Sequence, residues 1–159
     1  MALTMIVEIV RWVAAAAGFY WGYSLADPVA GFKVMSLVVV LSIGGLTGLE
    51  SLFMADSAAE KSGFGKASPY QRQSGFNNLA LAIAMILVWL LGWGVKAMAA
   101  VMFVLLAFLV LSAANHAYSA IKEGNRSPVN LLRPVLTGAL LGGVLPLMIM
   151  ALMAEGGRG

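Results

Sequence analysis

The chain has 159 residues, 61% hydrophobic and 11% charged, with a net charge of +3 and a mean hydropathy of +0.91. Soluble domains are about 45–50% apolar and about 25% charged, so this composition argues against a soluble enzyme domain, a disordered tail or a nucleic-acid module. Cysteine is absent, which removes disulfides, thiolate metal sites and cysteine nucleophiles.

A bilayer-spanning helix takes about 20 residues. Five of them fill most of the chain and leave no room for a separate soluble domain. The expected fold is therefore all-α: one integral membrane domain over residues 1–159, a bundle of five transmembrane helices. Four is the fallback if the first segment lies only at the interface.

The first apolar segment runs over about residues 5–25. Glu8 and Arg11 stand three apart near its start and can pair on one helical face. Glu8 argues against a signal peptide, whose leading region is basic, so the segment reads as a retained span. Ala26-Asp27-Pro28 closes it, since proline does not continue a helix. The second segment covers about 32–55; its length decides for helix despite the β-branched Val38-Val39-Val40. Residues 56–73 form the long polar connection, with turn signals at Ser62-Gly63-Phe64-Gly65 and Ser68-Pro69. That glycine-rich stretch lacks P-loop spacing. The third segment starts near Ser74 and ends at the Gly92-Trp93-Gly94 break. The fourth covers about 96–121, with Gly124 as its capping glycine. The fifth covers about 130–153, with Pro134 in its first turn and a kink expected at Pro146.

Orientation follows from the basic residues. The N-terminal side and the two polar loops carry Arg11, Lys61, Lys66, Arg72, Lys122, Arg126 and Arg133, which is seven. The other side carries Lys33, Lys96 and Arg158, which is three. The richer side is expected to be cytoplasmic, which places the N-terminus in the cytoplasm. Basic residues at span ends also meet anionic headgroups, so membrane lipids are expected partners and nucleic acid is not. The aromatics Trp12, Tyr20, Trp21, Trp89 and Trp93 read as interface anchors.

The few polar residues embedded in apolar runs gather at that same end. Glu50 is expected about 7–9 Å inside its helix terminus. Asn77 and Asn78 open the third helix, Asn115, His116 and Tyr118 close the fourth, and Asn130 and Arg133 open the fifth. An ionisable group at such depth faces the bundle interior and has a partner. His116, Arg133 and Arg72 are the partners available to Glu50 on this reading. A polar pocket would use Glu50 and His116 as candidate acid/base residues, since histidine titrates near neutrality. Gln71, Arg72, Asn77, Asn78, Asn115, Tyr118 and Arg133 would complete a ligand-binding set. The competing reading ties helix ends together with interhelical hydrogen bonds worth about 0.6 kcal/mol each. One histidine and no cysteine do not make a closed metal site, so no metal is expected. Haem is the one cofactor suggested, held by His116 of two copies or by His116 and a methionine.

Gly18/Gly22, Gly44/Gly48 and Gly138/Gly142 each place two glycines on one helical face, which permits close helix approach. Such packing within or between chains leaves a homo-oligomer, or a place in a larger membrane complex, as the expected assembly.

The run Gly48-Leu49-Glu50-Ser51-Leu52-Phe53, followed by Ser68-Pro69-Tyr70-Gln71-Arg72-Gln73-Ser74-Gly75-Phe76-Asn77-Asn78, resembles an uncharacterised family of small multi-pass bacterial membrane proteins. The resemblance spans about residues 44–135. It implies a bacterial inner membrane location and a role for Glu50, Gln71, Asn77 and His116. Arg72 and Asn77 are also similar to an Arg and a helix-embedded Asn of the membrane-associated eicosanoid and glutathione metabolism family. The acidic residue which that family carries nearby is missing after Asn77, and a span is added here. The leading expectation is a binding or accessory component with a polar site at the cytoplasmic interface. A membrane enzyme acting on a lipophilic substrate is the alternative, followed by a small transporter or channel. A transporter needs polar groups near the midplane, where this chain is almost wholly apolar.

Overall fold

The computed structural model describes residues 2–157; Arg158 of the orientation count lies outside them. Helix α1 (Ala2–Ser24) is followed by one continuous rod. The rod consists of α2 (Pro28–Val39), a π-helical turn (Val40–Gly45) and α3 (Leu46–Phe53). A short α4 (Ala55–Lys61) leads into α5 (Pro69–Leu90), α6 (Gly94–Lys122) and α7 (Pro128–Gly156). Among the described residues, five stretches are long and apolar enough to cross a membrane: Leu3–Ser24, Pro28–Phe53, Pro69–Leu90, Gly94–Lys122 and Pro128–Gly156. The all-α bundle of five spans expected from composition is what the chain forms.

Local chemistry sets the helix ends. Asp27 Oδ1 accepts the Val29 N–H at 3.1 Å, and Pro28 takes the first helical position, where a missing N–H costs nothing. Ser127 Oγ accepts the Asn130 N–H at 3.3 Å in the same way ahead of α7. Pro69 opens α5 about five residues before the expected Ser74, again as a proline pre-set for the first turn. Gly124 has φ +71°, and the Asn125 N–H returns to the Ser119 carbonyl at 3.1 Å, which closes α6 as foreseen. The long polar connection is only partly a loop, since α4 occupies its first half. Helix α7 runs unbroken past Pro134 and Pro146.

The rod is the centre of the bundle: 61% of its most apolar stretch is buried, against 22–33% in the other four spans. Phe32, Met35, Val39 and Val40 of the rod meet Met85 of α5, Met98, Met102 and Leu105 of α6, and Leu140 and Val144 of α7. Methionine fills irregular gaps between helices without strain, and five of the ten methionines, Met148 of α7 among them, lie in this core. The outside carries large apolar side chains such as Phe103, Leu111, Val135 and Met153, a surface that suits lipid and not water.

Glycine lets the helices approach at two points. A Cβ on Gly22 would stand 2.7 Å from the Met35 Cβ, so α1 lies directly against α2. A Cβ on Gly48 would stand 3.0 Å from the Gly75 carbonyl oxygen, which joins α3 to α5. The first two glycine pairs thus pack within the chain. The third, Gly138/Gly142, has no neighbour within 4 Å among the described residues.

Candidate functional site

Five charged side chains meet at the basic end of the bundle. Arg11, fully buried on α1, donates from Nη1 to Glu8 Oε2 at 2.8 Å and from Nη2 to Glu50 Oε2 at 2.7 Å. Lys61, at the end of α4, donates to Glu50 Oε1 at 2.6 Å and to Glu8 Oε2 at 2.8 Å. Its ammonium also reaches the Thr4 carbonyl at 3.4 Å. Trp12 Nε1 donates to the remaining oxygen, Glu8 Oε1, at 2.8 Å. Every carboxylate oxygen of Glu8 and Glu50 therefore accepts a donor. That saturation is what permits ions at such depth, because an unpaired one costs several kcal/mol.

The cluster is not neutral. Arg133 of α7 approaches Glu8 Oε2 at 3.6 Å, beyond hydrogen-bonding distance. Three cations thus face two carboxylates. The Arg133 Nε is buried and has no partner among the described residues.

Arg133 also lines a partly open cleft of about 430 Å³ bordered by α3 to α7. Ala58, Ala59 and Phe64 of α4 and the following turn form one side, Gln71, Ser74 and Asn78 of α5 another, and Phe108, Ser112, Asn115 and His116 of α6 a third. The turn over the cleft is tied down. Gly63 has φ +76°, and beside it Asn125 Nδ2 donates to the Ser62 carbonyl at 2.9 Å.

His116 is held by Asn130. Asn130 Nδ2 donates to the carbonyls of His116 at 3.3 Å and Asn125 at 2.7 Å, so its Oδ1 is the atom facing His116 Nδ1 at 2.6 Å. An amide oxygen only accepts, so Nδ1 carries the proton and Nε2 of the neutral ring is the acceptor. The ring also packs against Phe64, with centroids 5.5 Å apart.

The structure divides the expected site residues into three groups. Gln71, Asn78, Asn115, His116 and Arg133 line the cleft. Arg72, Asn77 and Tyr118 are exposed and stand apart from it. Glu50 is buried, and its ion-pair partners are Arg11 and Lys61 rather than His116, Arg133 or Arg72. The rod ends at Met54 (φ −134°, ψ 35°), which leaves Glu50 three residues, about 5 Å, from the terminus and within reach of α4. Arg133 links the two groups, since it both approaches Glu8 and lines the cleft with His116. Among the described residues, no three His, Cys, Asp or Glu side chains stand together as a metal site.

Sequence reasoning missed Arg11 and Lys61 as partners of Glu50. The signal for Arg11 was present: an arginine inside an apolar run requires a buried carboxylate, and Glu8, which is partly exposed, satisfies only one of its nitrogens.

Comparison with curated proteins and with solved structures gives no match, and nothing in it supports the resemblance to the eicosanoid and glutathione metabolism family. The match that is found covers almost the whole chain, residues 1–158. With five spans, an ion cluster whose two carboxylates are fully paired and a polar cleft at one end, the chain belongs to the family of unknown function DUF6790.

Proposed function

We propose that this chain is a membrane-embedded binding or accessory component whose cleft takes a ligand carrying a negative charge. The observation that carries this reading is the surplus cation: three basic side chains against two saturated carboxylates, with Arg133 at the cleft wall and its Nε unpartnered. An anion at Arg133 would neutralise the excess and supply the missing acceptor. The distribution of basic residues, seven against three, supports a cytoplasmic position for the cleft and for the N-terminus. Glu50 has both oxygens occupied by cations, which speaks against its use as a catalytic acid or base beside His116.

The test is native mass spectrometry of the chain extracted in mild detergent. The wild type should carry a small-molecule adduct that Ser112→Trp, which fills the cleft, does not. Identical spectra for the two proteins would refute the reading.

A further inference from the structure

We propose that the occupant of the cleft is an anionic phospholipid, its phosphate against Arg133 and part of an acyl chain against Phe108 and Leu109. This rests on the reading of the cleft as a binding site and names the ligand class.

Three observations lead there. The first is the grading of the walls. Lys66, Ser68 and Gln71 lie at one end of the cleft, and Phe108 and Leu109 line it further along α6. Phe108 is eight residues before His116, so the cleft extends about 12 Å along the helix axis. The α5 wall, from Tyr70 to Asn78, has the same eight-residue length. A site for a dissolved anion has no use for an apolar wall inside a transmembrane helix; a headgroup with its first methylenes matches both parts. The volume of about 430 Å³ lies within the range of ligand pockets, about 300–1,000 Å³, and fits a headgroup and a short length of chain while the rest stays in the bilayer.

The second is charge. Arg133 and Lys66 both line the cleft. A guanidinium pairs with phosphate through two parallel hydrogen bonds, and basic pockets between spans are a recurrent way to hold anionic headgroups.

The third distinguishes anionic from zwitterionic lipid. A choline or ethanolamine headgroup brings its own cation, which a nearby carboxylate would balance. Among the described residues, no Asp or Glu lines the cleft, whose charged lining residues are Lys66 and Arg133, and the oxygens of Glu8 and Glu50 beside Arg133 already accept.

The experiment uses the full chain in detergent, read by native mass spectrometry with four probes: phosphatidylglycerol, phosphatidylcholine, oleate and inorganic phosphate. One phosphatidylglycerol should be retained per chain, at least about tenfold more tightly than phosphatidylcholine. That preference should fall about tenfold in Arg133→Met, return partly in Arg133→Lys, and vanish in Ser112→Trp. If Arg133→Met does not fold, Lys66→Gln takes its place: Lys66 is exposed and outside the ion cluster, and its loss should weaken phosphatidylglycerol severalfold without moving phosphatidylcholine. Equal retention of the two lipids overturns the proposal. So does Arg133-dependent binding of oleate or phosphate as tight as that of phosphatidylglycerol, although the cleft would then stand as a binding site. No retention of any probe, or retention untouched by Ser112→Trp, overturns both.

Discussion

Arg11 and Glu50 lie 39 residues apart and are joined at 2.7 Å inside the bundle. The bond ties α1 to α3, so that the first helix, although it is the least buried span, is fastened to the centre of the bundle. Breaking a buried ion pair from one side costs about 3–5 kcal/mol, whereas removing both charges together costs much less. Arg11→Met should therefore lower the melting temperature in detergent sharply, and Arg11→Met combined with Glu50→Gln should recover most of the loss. Fluorescence-detected size-exclusion after heating orders the three proteins. An Arg11→Met protein that melts with the wild type would show that the pair does not hold the helices.

Lys61 is the only residue of α4 in the cluster, and the same short helix supplies Ala58 and Ala59 to the cleft wall. Lys61→Met should release α4 and the turn behind it, so that trypsin cuts at Lys66 several times faster. Lys61→Arg, which keeps the charge, should slow that cleavage again. Equal cleavage in all three proteins would mean that α4 is held by its apolar contacts alone.

Asn130 is fully buried and bonded to His116, Asn125 and Ser127. Replacing it removes a donor from two part-buried carbonyls and the acceptor from an imidazole N–H, at about 1–3 kcal/mol for each group left buried and unpaired. Asn130→Leu should destabilise the protein accordingly and should also weaken any ligand held beside His116. Asn130→Asp keeps the acceptor for His116 but loses the donor and sets a carboxylate oxygen against the two carbonyls, so it should not restore wild-type stability. A melting curve for each variant decides between them.

The glycine pairs separate packing within the chain from packing between chains. Gly48→Leu forces α3 away from the Gly75 carbonyl and should abolish folded protein. A Cβ at Gly138 or Gly142 meets nothing within 4 Å among the described residues, so Gly138→Leu and Gly142→Leu should fold normally. If either of the latter changes the mass measured by light scattering in detergent, that face of α7 is where copies meet.

Much of this was legible in the sequence because the relevant physics is local. Span number follows from length and hydropathy. The Glu8–Arg11 pair follows from helical spacing, and the end of α6 from Gly124. The gathering of polar groups at one end follows from where they fall in each run. Three things were not legible. Glu50 pairs with Arg11 because particular faces of α1 and α3 meet, and spacing along one helix does not specify which faces do. Lys61 looked like a solvated loop charge, yet α4 packs it onto the cluster, where its flexible stem carries the ammonium to both carboxylates. The π-helical turn at Val40–Gly45 leaves no pattern in residues that are apolar on every side. Arg72, Asn77 and Tyr118 shared the right depth with the cleft residues but lie on outward faces; depth alone does not choose a face.

Arg133 should give the cleft a positive character. Because the chain has no cysteine, Asn115→Cys places a single thiol in the cleft wall. The most direct measurement compares its reaction rates with two membrane-impermeant thiosulfonates, one bearing a sulfonate and one a quaternary ammonium. The anionic reagent should react about tenfold faster relative to a free thiol, about 1.4 kcal/mol of local potential, and Arg133→Met should remove the preference. Equal rates, or a preference that survives Arg133→Met, would contradict that role of Arg133.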